Sequence, residues 1–175
     1  MKNIICMIPI LMMIATNTHA QTTFKVLADS SAGNAKMYKG LITKSDLTTE
    51  PTFNSWYVES QRVYQRPDTA ALNAFKNHKD LYFIVFGGTW CEDTHYILPK
   101  FFKIQEDAGF PENHIALYAT DRKYSTEGNI SQALNVKNVP TIIVMKDGKE
   151  LGRVVEYGKT GKWDKELAEI LNQGK

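Results

Sequence analysis

Residues 81–95 read Leu81-Tyr82-Phe83-Ile84-Val85-Phe86-Gly87-Gly88-Thr89-Trp90-Cys91-Glu92-Asp93-Thr94-His95. The unbroken apolar run from Leu81 to Phe86 has the form of a strand buried on both faces. Gly87-Gly88 ends it. Beyond Cys91 the period changes: Ile97, Phe101, Ile104 and Ala108 recur every three or four residues, predicting a helix from about Glu92 to Ala108 with Gly109 as its stop. Pro99 lies inside that helix and should kink it. The tight passage from strand to helix puts Cys91 at the helix mouth, where unpaired amides and the helix dipole favour a thiolate.

Working outward toward the C-terminus, 114–119 forms a second strand and 125–134 a helix that starts near Thr126 or Asn129. Thr141–Met145 forms a third strand. The turn Lys146-Asp147-Gly148-Lys149 joins it to a fourth strand around 151–157, Asp147-Gly148 being a strong hairpin signal. A closing amphipathic helix begins near Lys159 and carries Trp163, Leu167, Ile170 and Leu171. Toward the N-terminus, Asp68 caps a helix through about Lys76, with Leu72 and Phe75 on one face. This order gives a three-layer α/β/α sandwich: two parallel central strands flanked by an antiparallel pair, with helices on both faces of a mixed sheet.

Residues 36–67 carry many aromatics (Tyr38, Phe53, Trp56, Tyr57, Tyr64) without a clean period. They read as an ordered N-terminal extension whose aromatics pack on a core domain spanning 68–175. Residues 21–35 are small and polar and read as a flexible tether. Residues 1–20 have the form of a cleavable signal peptide: Lys2, an apolar run from Ile4 to Ile14, and small residues at Thr18 and Ala20 before Gln21. That run is too short to span a bilayer, so the expected product is soluble, in a periplasm or outside the cell, with no membrane insertion after cleavage.

The 175 residues carry 21 Lys and Arg against 19 Asp and Glu, so loss of Lys2 with the leader moves the net charge from +2 to +1. Such balance, with basic residues scattered, speaks against nucleic acid or an acidic membrane as partner. Of the two cysteines, Cys6 lies in the leader and Cys91 remains alone, which excludes an internal disulfide and any cysteine-rich zinc site. Cys91 and His95 stand one helical turn apart and Asp93 or His114 could add a ligand, but two ligands do not make a site, so no metal is expected. No cofactor is expected either.

The segment from Trp90 to Pro99 resembles the active-site stretch of the thioredoxin family, in which Trp-Cys-x-x-Cys is followed five residues later by a helix-kinking proline. Leu134-Asn135-Val136-Lys137-Asn138-Val139-Pro140-Thr141 is similar to the stretch leading into that family's cis-proline. The likeness spans roughly residues 68–172, and the whole chain resembles secreted bacterial members carrying Trp-Cys-x-Asp-Ser/Thr. Two departures accompany it. Thr94 stands where the second cysteine would be, and Val85 occupies the place of a buried aspartate that serves proton transfer to that cysteine. Dithiol cycling within one chain is therefore unavailable. A peroxiredoxin-type likeness fails, since Gly88 stands where that family needs threonine.

The resemblance implies thiol–disulfide exchange through Cys91 alone: a mixed disulfide forms and an external thiol resolves it. On this reading Thr94 donates its hydroxyl to the sulfur, while Glu92 and Asp93 oppose the thiolate and His95 offsets them or takes the thiol proton. Val139, Pro140 and Thr141 would hold an extended substrate strand, with Trp90 as a flat wall beside the thiol. Partners would be a thiol- or disulfide-containing protein or a small thiol, met by a monomer. The rival reading is a redox-inactive module that binds a peptide or partner protein in the same groove.

Overall fold

The structure, a computed structural model, describes residues 23–174. Six strands form one mixed sheet: β1 (Phe24–Asp29), β2 (Ala35–Ile42), β3 (Tyr82–Gly87), β4 (Ile115–Ala119), β5 (Thr141–Lys146) and β6 (Lys149–Val155), in the spatial order β1-β2-β4-β3-β5-β6. β3 lies parallel to β4, with Val85 opposite Leu117, and antiparallel to β5, with Phe86 opposite Thr141. All other neighbours are antiparallel. The helices are α1 (Lys44–Thr49), α2 (Pro51–Val63), α3 (Thr69–Asn77), α4 (Glu92–Ala108), α5 (Ile130–Ala133) and α6 (Trp163–Asn172). The expected α/β sandwich is therefore present, with the parallel pair at its centre.

Alternation along β3 divides the core. Phe83 and Val85 face a large cluster with Phe75, Ile97, Phe101, Ile104 and Leu167, so α3, α4 and α6 cover that side. Phe86 faces a smaller cluster with Val136, Val139 and Ile143, against which Trp90 and Cys91 are packed. The site thus sits at the margin of the smaller cluster, at the end of the central strand.

Three expectations need correction. Residues 24–29 are not a tether but the edge strand β1, paired along its length with β2. Asp29 caps the 3-10 turn that follows by accepting from the Ser31 amide, and Gly33 closes it in the left-handed region (φ 62°). Composition did not reveal this strand because ladder bonds to β2 stabilise it, not an apolar face. Residues 36–67 are likewise more than an extension laid on a finished core. They supply β2, α1 with its Thr43/Asp46 capping box, and α2, and their Tyr38, Ile42, Leu47, Phe53 and Tyr57 are buried in the main cluster. Finally, the helix expected over 125–134 shrinks to a 3-10 turn and the four-residue α5, because Gly128 and Asn129 adopt left-handed backbone (φ 71° and 56°). The signal-peptide reading falls on residues 1–20, outside the described residues.

Candidate active site

The turn between β3 and α4 is held from several sides. Cys91 N–H donates to the Gly88 carbonyl at 2.9 Å, closing a tight turn. Gly88 is required there, since a Cβ would lie 2.7 Å from Cε2 of the Trp90 indole. Trp90 Nε1 donates to the Thr120 carbonyl at 2.8 Å, fixing the indole against the end of β4. Thr89 Oγ1 accepts from the Tyr38 amide at 3.0 Å, so β2 grips the same loop. Cys91 then caps α4 in extended geometry (φ −102°, ψ 121°), and its carbonyl accepts from His95 N at 3.0 Å.

The Cys91 side chain is half-buried and makes no cap hydrogen bond to the first-turn amides. Its thiol instead donates across the groove to the Val139 carbonyl at 3.4 Å. The Val139–Pro140 peptide is cis, and Val139, Pro140 and Thr141 are all buried. Thr141 Oγ1 donates to the Asn138 carbonyl at 2.7 Å, tying the loop before β5. Cys91, Val139 and Pro140 thus meet although they lie almost fifty residues apart along the chain, 48 for the hydrogen-bonded pair.

Thr94 differs from expectation. Its hydroxyl accepts from the Gly88 amide at 3.1 Å, and the side chain is 1% exposed beneath the Gly87-Gly88 turn. It has no hydrogen bond to the sulfur among those of the described residues. At this third helical position the side chain leans back toward the preceding turn, which places it under the loop rather than beside the thiol. Val85 is likewise 1% exposed and embedded in the main apolar cluster.

His95 is also recruited elsewhere. Its Nε2 lies 2.9 Å from the Thr89 carbonyl, which can only accept, so the proton sits on Nε2. The ring stacks on Trp56 of α2 with centroids 4.2 Å apart and planes 14° from parallel. Burial holds the imidazole below the usual histidine range, against the opposing pull of the Thr89 carbonyl and Glu92. A neutral His95 with Nε2–H engaged does not use that nitrogen as base for Cys91, and it adds no positive charge to offset Glu92 and Asp93. Glu92 is exposed. Asp93 accepts from the Tyr157 hydroxyl at 2.9 Å, and Tyr157 is pushed up to about 12 by burial first and then by that carboxylate.

Four rim residues were not singled out from sequence: Trp56, Tyr157, Asp29 and Arg122. Arg122 lies over the Trp90 ring, 4.8 Å from its centroid, and is gripped by Asp29 through Nε (2.9 and 2.8 Å) and Nη2 (2.8 Å). Asp29 is 3% exposed, and the guanidinium holds its carboxyl below the usual range. Only the aromatic richness of residues 36–67 hinted at any of the four. The others arrive from β1, from the loop after β4 and from the end of β6. Among the described residues no group of three or more His, Cys, Asp or Glu could hold a metal ion, and no helix is long and apolar enough to cross a membrane.

A half-buried cysteine at the mouth of a helix that carries Pro99, facing a cis-proline that opens an antiparallel strand, defines a thioredoxin-fold protein. The chain belongs to the thioredoxin family. It is 31% identical over 88 residues to the thioredoxin of Coprinus comatus, a match covering 50% of this chain and 79% of that protein. No protein-family model matches the chain. Among solved structures, a Pseudomonas aeruginosa protein of unknown function superposes with a TM-score of 0.56 at 16% identity, over 76% of this chain and 93% of that one. Fasciola hepatica thioredoxin gives 0.41 at 22% identity, over 57% and 86%. The family is one of thiol–disulfide redox proteins, whose members act on thiol or disulfide substrates.

Proposed function

We propose that this protein carries out thiol–disulfide exchange through Cys91 alone. The observation that supports it most is the half-buried sulfur 3.4 Å from the Val139 carbonyl, across from Pro140. Cys91 first loses its proton to solvent. The thiolate attacks one sulfur of a substrate disulfide, the substrate S–S bond breaks, and the departing thiolate takes up a proton. An external thiol then attacks the Cys91 mixed disulfide, carrying the substrate sulfur away and returning the Cys91 thiolate. One external thiol gives net exchange, and a second gives reduction of the substrate. Thr94 and Val85 both favour this monothiol course, since neither can supply nor deprotonate a resolving thiol.

Backbone groups of Val139 would pair with an extended substrate, Thr141 would hold the loop before β5, and Trp90 would wall the groove. Thr94 enters as the residue that holds the Gly88 turn, and Glu92, Asp93 and His95 as the surroundings of the thiol. The first twenty residues support export, and we place the mature monomer in a periplasm or outside the cell, meeting thiol- or disulfide-bearing proteins or small thiols.

The test is reaction of the reduced protein with hydroxyethyl disulfide, followed by mass spectrometry. The expected result is one adduct on Cys91, absent from Cys91→Ser and released by added thiol. In cell envelopes, wild type should capture partners through mixed disulfides that Cys91→Ser does not. Recovery of the same partners by both proteins, with no adduct, would support instead a redox-inactive module that binds in the same groove.

A further inference from the structure

Arg122 stands out because it is both exposed and held still. Its side chain is 39% accessible, yet Nε and Nη2 are committed to Asp29 and the guanidinium lies on Trp90, the residue adjoining Cys91. A long side chain left free on a surface loses little by remaining mobile, so two hydrogen bonds and an ion-pair contact to a buried carboxylate, with a ring face beneath, make this one preorganised. Nη1 makes no hydrogen bond among the described residues and retains both of its N–H donors. Arginine donors of that geometry suit a carboxylate.

The neighbouring charges leave Arg122 room to act. Asp121 is engaged by Lys39 at 2.8 Å and by the Ser125 hydroxyl, so its charge is already answered. Lys123 is exposed beside it. Asp121, Arg122 and Lys123, together with Asp29 and Met37, line a cleft of about 460 Å³. On the other side Glu92 is exposed and Asp93 is held by Tyr157, so negative charge there would repel an anion. The site is therefore electrostatically two-sided.

We propose that Arg122 is a specificity-determining residue of the Cys91 site, selecting thiols and disulfides that carry a carboxylate near the sulfur. The inference rests on the exchange reading above. Asp29, from β1, is the positioning residue that sets the guanidinium over Trp90.

The test compares alkylation of Cys91 by iodoacetate, an anion, with alkylation by neutral iodoacetamide. Taking the ratio of the two rates cancels any change in thiolate fraction. Because Arg122→Gln alone strands a buried carboxylate, the informative variant combines Arg122→Gln with Asp29→Asn, alongside Arg122→Lys. The iodoacetate-to-iodoacetamide ratio should fall about fivefold in the double variant, the scale of an exposed ion pair, and less in Arg122→Lys. The wild-type ratio should also shrink as salt rises, which a purely structural role would not cause. An unchanged, salt-independent ratio overturns the inference.

A second series uses disulfides: neutral hydroxyethyl disulfide, dianionic dithiodipropionate, and a disulfide peptide with acidic residues beside cysteine. Faster adduct formation with either anionic reagent, lost in the double variant, supports the inference, and the faster of the two names the source of the carboxylate. Equal rates with all three overturn it while leaving exchange intact. Failure of all three while the iodoacetate preference persists overturns the exchange reading and supports the anion site.

Discussion

Replacing Phe53 with alanine tests whether the N-terminal third and the site belong to one cooperative unit. Phe53 is 1% exposed, meets Tyr38 of β2 edge-on at 4.7 Å, and lies 6.4 Å from Trp56, which in turn stacks on His95. Truncating a fully buried phenylalanine costs about 3–5 kcal/mol, the larger values applying where surroundings cannot collapse. Collapse is hindered here because Phe53 packs from α2 against β2, and α2 is itself tied to α4. Ser60 donates to the Tyr96 carbonyl and Gln61 to the Pro99 carbonyl, both at 3.2 Å. With a urea slope of about 2 kcal/mol per molar, a loss of about 4 kcal/mol lowers the midpoint by about 2 M. The assay is urea unfolding followed by far-UV circular dichroism and tryptophan fluorescence. Trp56, Trp90 and Trp163 lie in α2, the site loop and α6, so coincident curves report the whole molecule. A midpoint shift under about 0.5 M, or an early separate phase, would refute the reasoning and return residues 36–67 to the status of an appendage.

Further outcomes follow from the site. Because burial lowers the His95 pKa, the unfolded chain binds the extra proton first; stability should be full above about pH 6.5 and decline as pH falls below it. His95→Phe, which keeps a ring against Trp56, should flatten that decline below about pH 6.5 in denaturant titrations. Gly88→Ala should push the Trp90 indole from its place, break its bond to the Thr120 carbonyl and shift tryptophan emission, at a cost of about 1–3 kcal/mol in thermal or urea melts. Thr94→Cys should allow a disulfide between the introduced thiol and Cys91, read as loss of both titratable thiols after oxidation. It should also forgo the bond to the Gly88 amide, destabilising the reduced protein by about 1 kcal/mol.

Much of the fold was legible because local pattern and burial agree. The Leu81–Phe86 run, the period of α4, its Gly109 stop at φ 59° and the Asp147-Gly148 turn each state their structure within a few residues. Where local signals conflict with tertiary context the reading failed. β1 carries few inward side chains and is ordered by β2, while the 125–134 segment has helical composition but turns at Gly128 and Asn129. Thr94 and His95 were expected at the thiol, but a threonine can hydrogen-bond to several nearby groups, and its backbone position gave it the Gly88 amide. Arg122 and Asp29 could not be paired from sequence, since 93 residues separate them.

By itself, then, the sequence determined the strand–turn–helix that carries Cys91, the loss of the second cysteine at Thr94 and of an acid at Val85, and the family likeness. These depend on neighbours along the chain. Tertiary structure alone decided that the sulfur faces Val139 rather than the helix amides, that Trp56 fixes His95, and that a buried aspartate from the first strand lays Arg122 on Trp90. Those contacts join residues from separate strands and helices, and their partners are chosen by sheet order and packing, which no local pattern encodes.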